Sequence, residues 1–441
     1  MLFRMPWNII REVFRSLDGW GRHPVLIELI PREKPIHVEA GEFKINIVKT
    51  AEFLEELGIK RNYLVPIFLE NTVDFIYAFL GLVQIGAKPI PIKLEYRKIE
   101  LDEIFRNAQP QAIIAESSHL KIIKPYLSNK IVISRENRKL KLYQKATKDL
   151  KPAELPDEIA SINYTYRGYG YPLGAMVPHV QYLHGAKVLQ AGLQAKPKEK
   201  MLIILPMSHI FTLIGCIFVP ILHGITPVIA NTIHPRRIFE AIEEHSIDHI
   251  TAVPEIYLLF EKFKDMAGKL HSLQVFVCGG SSLSSEDYYR IKKAFAIDLL
   301  HGYGLTEFTP VSRNIRGKAR AGTVGPLCDN IECRIISEDN NEAGEILLRT
   351  DKMFRGYYRN PNVTKEAFEG DWFKTGDIGR IEKGHLIFEK EVKKTRKVNG
   401  NMVDLEELER IIKSNEKVNG AELRAALKNK IATYKIPQIR L

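Results

Sequence analysis

Two short stretches of this chain place small residues, a hydroxyl and a carboxylate where a nucleotide could be gripped. The first is His301-Gly302-Tyr303-Gly304-Leu305-Thr306-Glu307; the second, about seventy positions on, ends in Thr375-Gly376-Asp377. Gly302 and Gly304 flank Tyr303, so the backbone can turn closely beneath a flat ligand while the ring offers a stacking face. Thr306 supplies a hydroxyl suited to phosphate, and Glu307 a hard oxygen ligand suited to Mg²⁺. Asp377 closes a Trp-Phe-Lys-Thr-Gly run, where a carboxylate could accept both hydroxyls of a ribose. Neither stretch is specific alone, since a lone glycine-rich turn is most often a plain loop.

Taken together, their order and wording resemble the adenylate-forming superfamily, which includes acyl-CoA synthetases and acyl-ACP or acyl-AMP ligases. The family wording, tyrosine-glycine-any-threonine-glutamate and later threonine-glycine-aspartate, is kept at 303–307 and 375–377, and 353–361 also reads like a family member. A third block is altered. The family's phosphate loop falls on Tyr164-Thr165-Tyr166-Arg167-Gly168-Tyr169-Gly170-Tyr171-Pro172-Leu173-Gly174. Tyr164, Thr165, Gly170, Pro172 and Gly174 match, and glycines here would let backbone N–H groups close round a phosphate. The usual run of hydroxyl residues is replaced by Tyr166, Arg167, Gly168 and Tyr169, and the usual lysine is Leu173. Arg167 brings a permanent forked cation into the same loop and is the natural substitute for the lost lysine.

What the resemblance implies is an ATP-dependent carboxylate ligase. It would make an acyl-adenylate and pass the acyl group to CoA or to a phosphopantetheine carrier such as an acyl carrier protein. Thr165, Gly168, Gly170 and Gly174 would serve the phosphates, Gly279, Gly280, Tyr303 and Gly304 the adenine side, and Asp377 the ribose. Thr306, Glu307 and Arg167 would act on the reacting phosphates of ATP, with Mg²⁺ on Glu307. His209, in Pro206-Met207-Ser208-His209, would border the carboxylic acid substrate, and the apolar stretch after it would line a pocket for a fatty acid chain. The competing reading is a catalytically degenerate protein of the same fold that binds AMP or acyl-adenylate without turnover.

The elements that must position these residues follow from periodicity. Helical spacing at 7–17, 48–57 and 71–85 alternates with apolar strand runs at 25–30, 63–69, 88–92 and 112–115. Such alternation predicts parallel sheets with crossover helices. A strand at 131–134 is followed by a polar connection to 156. Strands at 201–206, 250–254 and 275–278 predict a second sheet, and short strands at 322–325, 331–336 and 345–348 a small barrel-like subdomain. The fold expected is α/β: a large AMP-binding adenylation domain over 1–390, with two helix-flanked sheets and the small β subdomain, then a shortened lobe over 391–441.

That lobe departs from the family. Residues 397–409 match its opening and Lys393 and Lys397 are kept, but Glu391 stands where a ribose-contacting arginine is usual. A late helix at 423–435 leads to the Tyr434-Lys435-any-Pro437 wording, and the sequence ends at Leu441, ahead of the segment that carries the family's adenylation lysine. Losing one stabilising donor costs about 10² to 10³ in rate, so a slow or inactive enzyme is one expectation.

Composition adds bounds. At 441 residues the chain exceeds one core, and 45% apolar content is ordinary for a globular protein. The net charge of +11 is concentrated, with thirteen Lys or Arg against seven Asp or Glu in residues 390–441. A basic end of this kind suits phosphates, an acidic carrier protein or peripheral membrane contact, and equally a solvated face. No nucleic-acid motif accompanies it. Four scattered cysteines exclude a disulfide framework and fit the cytoplasm. Residues 209–230 are apolar enough for a transmembrane span, but their histidines, prolines and glycines favour a buried helix followed by a strand.

Overall fold

A computed structural model describes residues 8–337, 343–391, 395–398, 401–413, 427 and 430–436. Two mixed sheets carry the body. The larger has eight strands in the order Ser312–Arg313, Asp298–Tyr303, Val275–Cys278, His249–Ala252, Lys200–Ile203, Thr226–Ala230, Leu26–Leu29 and Ile36–Val38. Its six central strands are parallel and the two edge strands antiparallel. The second sheet runs Lys88–Pro91, Leu64–Phe68, Ala112–Glu116, Ile131–Glu136 and Lys139–Gln144.

Burial explains the strand composition. Each central strand is covered on both faces, so it reads as a continuous apolar run rather than an alternation; Leu64–Phe68 and Thr226–Ala230 are buried throughout. The helix Val73–Gln84 is likewise apolar all round, with every residue from Phe75 to Val83 buried, because it lies against the helix Ala40–Glu56 and the strand Leu64–Phe68. By contrast Ile9–Leu17 is two-faced. Asn8 caps it by accepting the Arg11 N–H at 3.0 Å, and Ile9, Ile10, Val13 and Leu17 go inward. A cap of this kind is worth about 1 kcal/mol.

A small antiparallel sheet follows, Glu332–Ile336, Gly344–Arg349, Trp372–Glu382, Phe368–Glu369 and His385–Glu391. The predicted strand at 322–325 is absent; Gly325, at φ +91°, makes a single bridge to Leu386. The polar connection after 134 instead contains the strand Lys139–Gln144, an edge strand whose side chains alternate exposed and half-buried. The stretch 209–230 is a buried helical segment, with a π-helical turn at Leu213–Phe218, followed by the strand Thr226–Ala230. Among the described residues no helix is long and apolar enough to cross a membrane.

Two pieces beyond 391 bear on the site: the hairpin Thr395–Val398 with Asn401–Asp404, and the helix Leu405–Lys413. Of the predicted late helix, Thr433–Lys435 forms one 3₁₀ turn; Lys393, Gly400 and Pro437 lie outside the described residues.

Candidate nucleotide and acid site

The site forms where parallel strands end, the usual crevice of an open α/β sheet. Val275–Cys278 and Asp298–Tyr303 are neighbours, so their carboxyl ends deliver Gly279-Gly280 and Tyr303-Gly304 side by side. Opposite them, Ile159–Thr165 and Leu173–Pro178 make a hairpin whose connection, residues 166–172, is the altered phosphate loop. One cavity of ≈ 130 Å³ is lined by Thr165, Arg167, His209, Gly279, Gly280, Tyr303, Gly304, Thr306 and Glu307. Residues from four separate stretches of sequence therefore share one space. Gly304 is required by close approach: a Cβ there would lie 2.0 Å from the Thr309 hydroxyl.

Asp377 stands behind this wall. It is 1% exposed, and the Tyr303 hydroxyl donates to its carboxylate at 2.5 Å. Burial and the adjacent Asp377 charge push the Tyr303 phenol well above its ordinary value, which keeps the donor protonated. The ring and the carboxylate thus touch directly, and a ribose hydroxyl would reach Asp377 by taking the place of the phenol.

Glu307 is 2% exposed and doubly engaged. Arg167 Nη1 donates to its Oε1 at 3.3 Å, and the Tyr357 hydroxyl donates to the same oxygen at 2.5 Å. Arg167 Nη2 also donates to the Lys374 carbonyl at 2.8 Å, and the guanidinium lies 4.8 Å from the Phe373 ring centre. Burial opposes the arginine's charge, but Tyr357, Glu307 and Asp377 around it outweigh that and raise its pKa. The cation predicted for phosphate is therefore present at the cavity and balanced by the carboxylate predicted for Mg²⁺. Among the described residues no group of three or more His, Cys, Asp or Glu could hold a metal. A lone carboxylate still fits Mg²⁺, which keeps several waters and phosphate oxygens of its own.

The remaining loop glycines face elsewhere. Gly168 and Gly170 have φ of +84° and +77°. The Gly170 N–H donates to Asp404 Oδ2 at 3.1 Å, so a carboxylate from beyond residue 400 takes up an amide predicted to meet phosphate. Gly174 sits inside its strand, opposite Tyr164. Tyr166, 2% exposed, lines the cavity beside Arg167, and its hydroxyl donates to Glu407 at 2.9 Å, while Lys435 donates to the Tyr166 oxygen at 2.8 Å. Lys435 also pairs with Glu407 and, at 3.1 Å, with Glu100, all three side chains being closed to solvent.

The acid side of the cavity is built by the helical segment after His209. The His209 ring accepts the Phe211 N–H at 3.2 Å, which starts the helix. The π-helical turn widens the next stretch, as such turns do near functional sites, and Phe211, Gly215 and Val219 line the cavity opposite Leu189 and Leu193. Sequence reasoning missed Tyr357, Phe373 and the Gln181 amide that donates to the Thr306 carbonyl at 3.0 Å. Tyr357 lies in the stretch 353–361 already noted for its wording, which was the available signal. Gln181 carried none, since it is one of several polar residues in its helix and no motif marks it.

The AMP-binding enzyme family model matches residues 14–358, most of the chain. The protein belongs to that family. Among curated relatives it is 24% identical over 409 residues to 4-coumarate-CoA ligase 1 of Narcissus pseudonarcissus, covering 85% of this chain and 73% of that one. It is 25% identical over 405 residues to a 4-coumarate-CoA ligase of Humulus lupulus, covering 85% and 74%. Among solved structures, an amide bond synthetase from Marinactinospora thermotolerans superposes with a TM-score of 0.84 at 18% identity, covering 97% of this chain and 94% of that one. A fatty acyl CoA synthetase of Mycobacterium tuberculosis superposes at 0.76 and 20% identity, covering 98% and 93%. The α/β fold of adenylate-forming enzymes is therefore that of this AMP-binding protein.

Proposed function

We propose that this protein is an ATP-dependent ligase that joins a carboxylic acid to AMP and then passes the acyl group to a thiol, of CoA or of a carrier protein. The observation that carries the reading is the single cavity in which Tyr303, Thr306, Glu307 and Arg167 meet a largely apolar acid pocket. In the first half-reaction the carboxylate attacks the α-phosphate and pyrophosphate leaves, so negative charge builds on phosphate oxygens in line with the leaving group. Arg167 would stabilise that charge by turning one arm of its fork from Glu307 to phosphate. Thr306 would donate its hydroxyl to a phosphate oxygen, Tyr303 would stack on adenine, and Asp377 would accept from ribose once the phenol yields. Glu307 would hold Mg²⁺, which when bound with the triphosphate draws charge from the phosphates. His209, at the start of the helical segment, would border the reacting carboxylate, and the hydrocarbon body would lie against Phe211 and Val219.

Pyrophosphate exchange into ATP across a panel of carboxylic acids tests this, with Glu307→Ala as control. Acid-dependent exchange that the substitution abolishes supports the ligase. A second reading, a nucleotide binder without turnover, is favoured by one arrangement: the Arg167–Glu307 pair and the Asp404 contact to Gly170 already satisfy groups that ATP would need. ATP binding without exchange would decide for it.

A further inference from the structure

The far side of the acid pocket holds a cation that no carboxylate among the described residues meets. Arg313 lines the same cavity as Tyr303 and is 9% exposed. It lies on the edge strand Ser312–Arg313, directly opposite Gly302. Its side chain runs across the pocket-lining helix His179–Leu193 at Gly192, where a Cβ would stand 2.8 Å from the arginine Cδ and 2.9 Å from its Nε. Glycine at 192 therefore makes the space in which this arginine lies.

The guanidinium's surroundings are poor in negative charge. Its Nε is buried with no hydrogen-bond partner, and Nη1 meets the Cys328 sulfur at 3.5 Å. Burial pushes the Cys328 thiol up to about 12, so it stays neutral and supplies no counter-charge. Asp329 is exposed to solvent, and among the described residues no carboxylate pairs with Arg313. The neighbouring polar side chains are already occupied: Ser312 donates to the Val324 carbonyl at 3.1 Å, and the Asn314 amide donates to the carbonyls of His301 and Thr323. An arginine cannot relieve burial by losing its proton, so a buried and unpaired one requires an anion from elsewhere.

We infer that Arg313 recognises a second carboxylate on the acid, so that the substrate is a dicarboxylate activated at one end and held by the guanidinium at the other. The apolar lining from Leu189, Leu193, Phe211 and Val219 lies along the same cavity and suits a short hydrocarbon or aromatic body between the two ends. A forked guanidinium matches a carboxylate with two parallel hydrogen bonds, which also fixes the direction of the chain. This deepens the ligase reading and rests on it.

The test compares straight-chain α,ω-dicarboxylic acids of four to ten carbons with monocarboxylic acids of equal length in pyrophosphate exchange. The protein should prefer the best diacid by about 10²-fold in kcat/KM, the scale of one desolvated charge-assisted contact. Arg313→Met should bring the diacid-to-monoacid ratio of kcat/KM down to about one, and Arg313→Lys should keep part of the preference. Equal or better use of monoacids at every length overturns the inference, as does a diacid preference that survives in Arg313→Met. Should no acid support exchange, the ligase reading fails separately. Binding of paired acyl-sulfamoyl adenosines, one ending in carboxylate and one in methyl, then decides Arg313 by the difference in melting shift between wild type and Arg313→Gln. A carboxylate-dependent shift that Arg313→Gln abolishes supports the assignment, and equal shifts from both analogues overturn it.

Discussion

Adjacent residues of one loop, Tyr166 and Arg167, enter two different buried charge clusters, and the contrast separates the site from its cover. Arg167 faces the cavity and forms a one-to-one pair with Glu307. The Tyr166 hydroxyl meets Glu407 and Lys435, and Lys435 is shared by two carboxylates, Glu100 and Glu407. The first cluster joins residues 167, 307, 357 and 374 at the cavity. The second ties residues from beyond 400 to the loop and to Glu100, so it controls how firmly that segment sits on the loop. Glu407 shows the strain of sharing: burial raises its pKa, the neighbouring Glu100 adds to that, and Lys435 only partly offsets it.

Substitutions can break this contrast at either end. Arg167→Met should lower pyrophosphate exchange by about 10²-fold or more, with little change in amide exchange of the helix Leu405–Lys413. Unchanged ATP affinity and turnover would end the idea that this cation replaces the missing lysine. Lys435→Met should have the reverse pattern. It leaves two carboxylates in a closed space and costs about 3 to 5 kcal/mol of lobe docking, seen as lost hydrogen-exchange protection in that helix. Protection equal to wild type would show that the seam is held by other contacts.

A smaller effect should appear at alkaline pH. Burial lowers the Lys93 pKa from 10.5 to about 8, with Lys435 contributing in the same direction. A lysine whose folded pKa lies below its unfolded value costs stability while it is charged. That penalty is fully present below about pH 8 and fades as pH rises towards 10.5. The slope is at most about 1.4 kcal/mol per pH unit. Denaturant titrations of wild type and Lys93→Met should therefore converge or cross as pH rises through this window, and parallel curves would contradict the assignment. Smallest is Asp404→Ala. Asp404 accepts the Glu407 N–H at 3.1 Å, at the start of the helix Leu405–Lys413, as well as the Gly170 N–H. Its loss should cost about 1 kcal/mol and raise nucleotide affinity a few-fold, because a competing anion leaves the loop. Weaker nucleotide binding would show that Asp404 shapes the loop rather than filling it.

Much of the body was legible in the sequence because central strands and crossover helices carry strong periodicity. Residues 63–69, 71–85 and 88–92 were read almost to their ends. The strand Lys139–Gln144 was missed because an edge strand with lysines on its open face has no apolar signature. The expected strand at 322–325 failed because Gly322 and Gly325 adopt φ of +73° and +91°, outside the extended region. In the site, wording located Tyr303, Thr306, Glu307 and Asp377, but not that two of them are hydrogen-bonded to each other.

The linear order of residues determined the family, the alternating helices and strands, and which side chains were expected to meet a nucleotide, since these depend on local spacing and on short motifs. Only the tertiary structure decided the partners: Arg167 on Glu307, Asp404 on the Gly170 amide, Lys435 between Glu100 and Glu407, and Arg313 beside the cavity with no carboxylate partner among the described residues. Those pairings join residues as far apart as Glu100 and Lys435. Charge balance in a closed interior depends on distance in space, and no local pattern in a sequence records that.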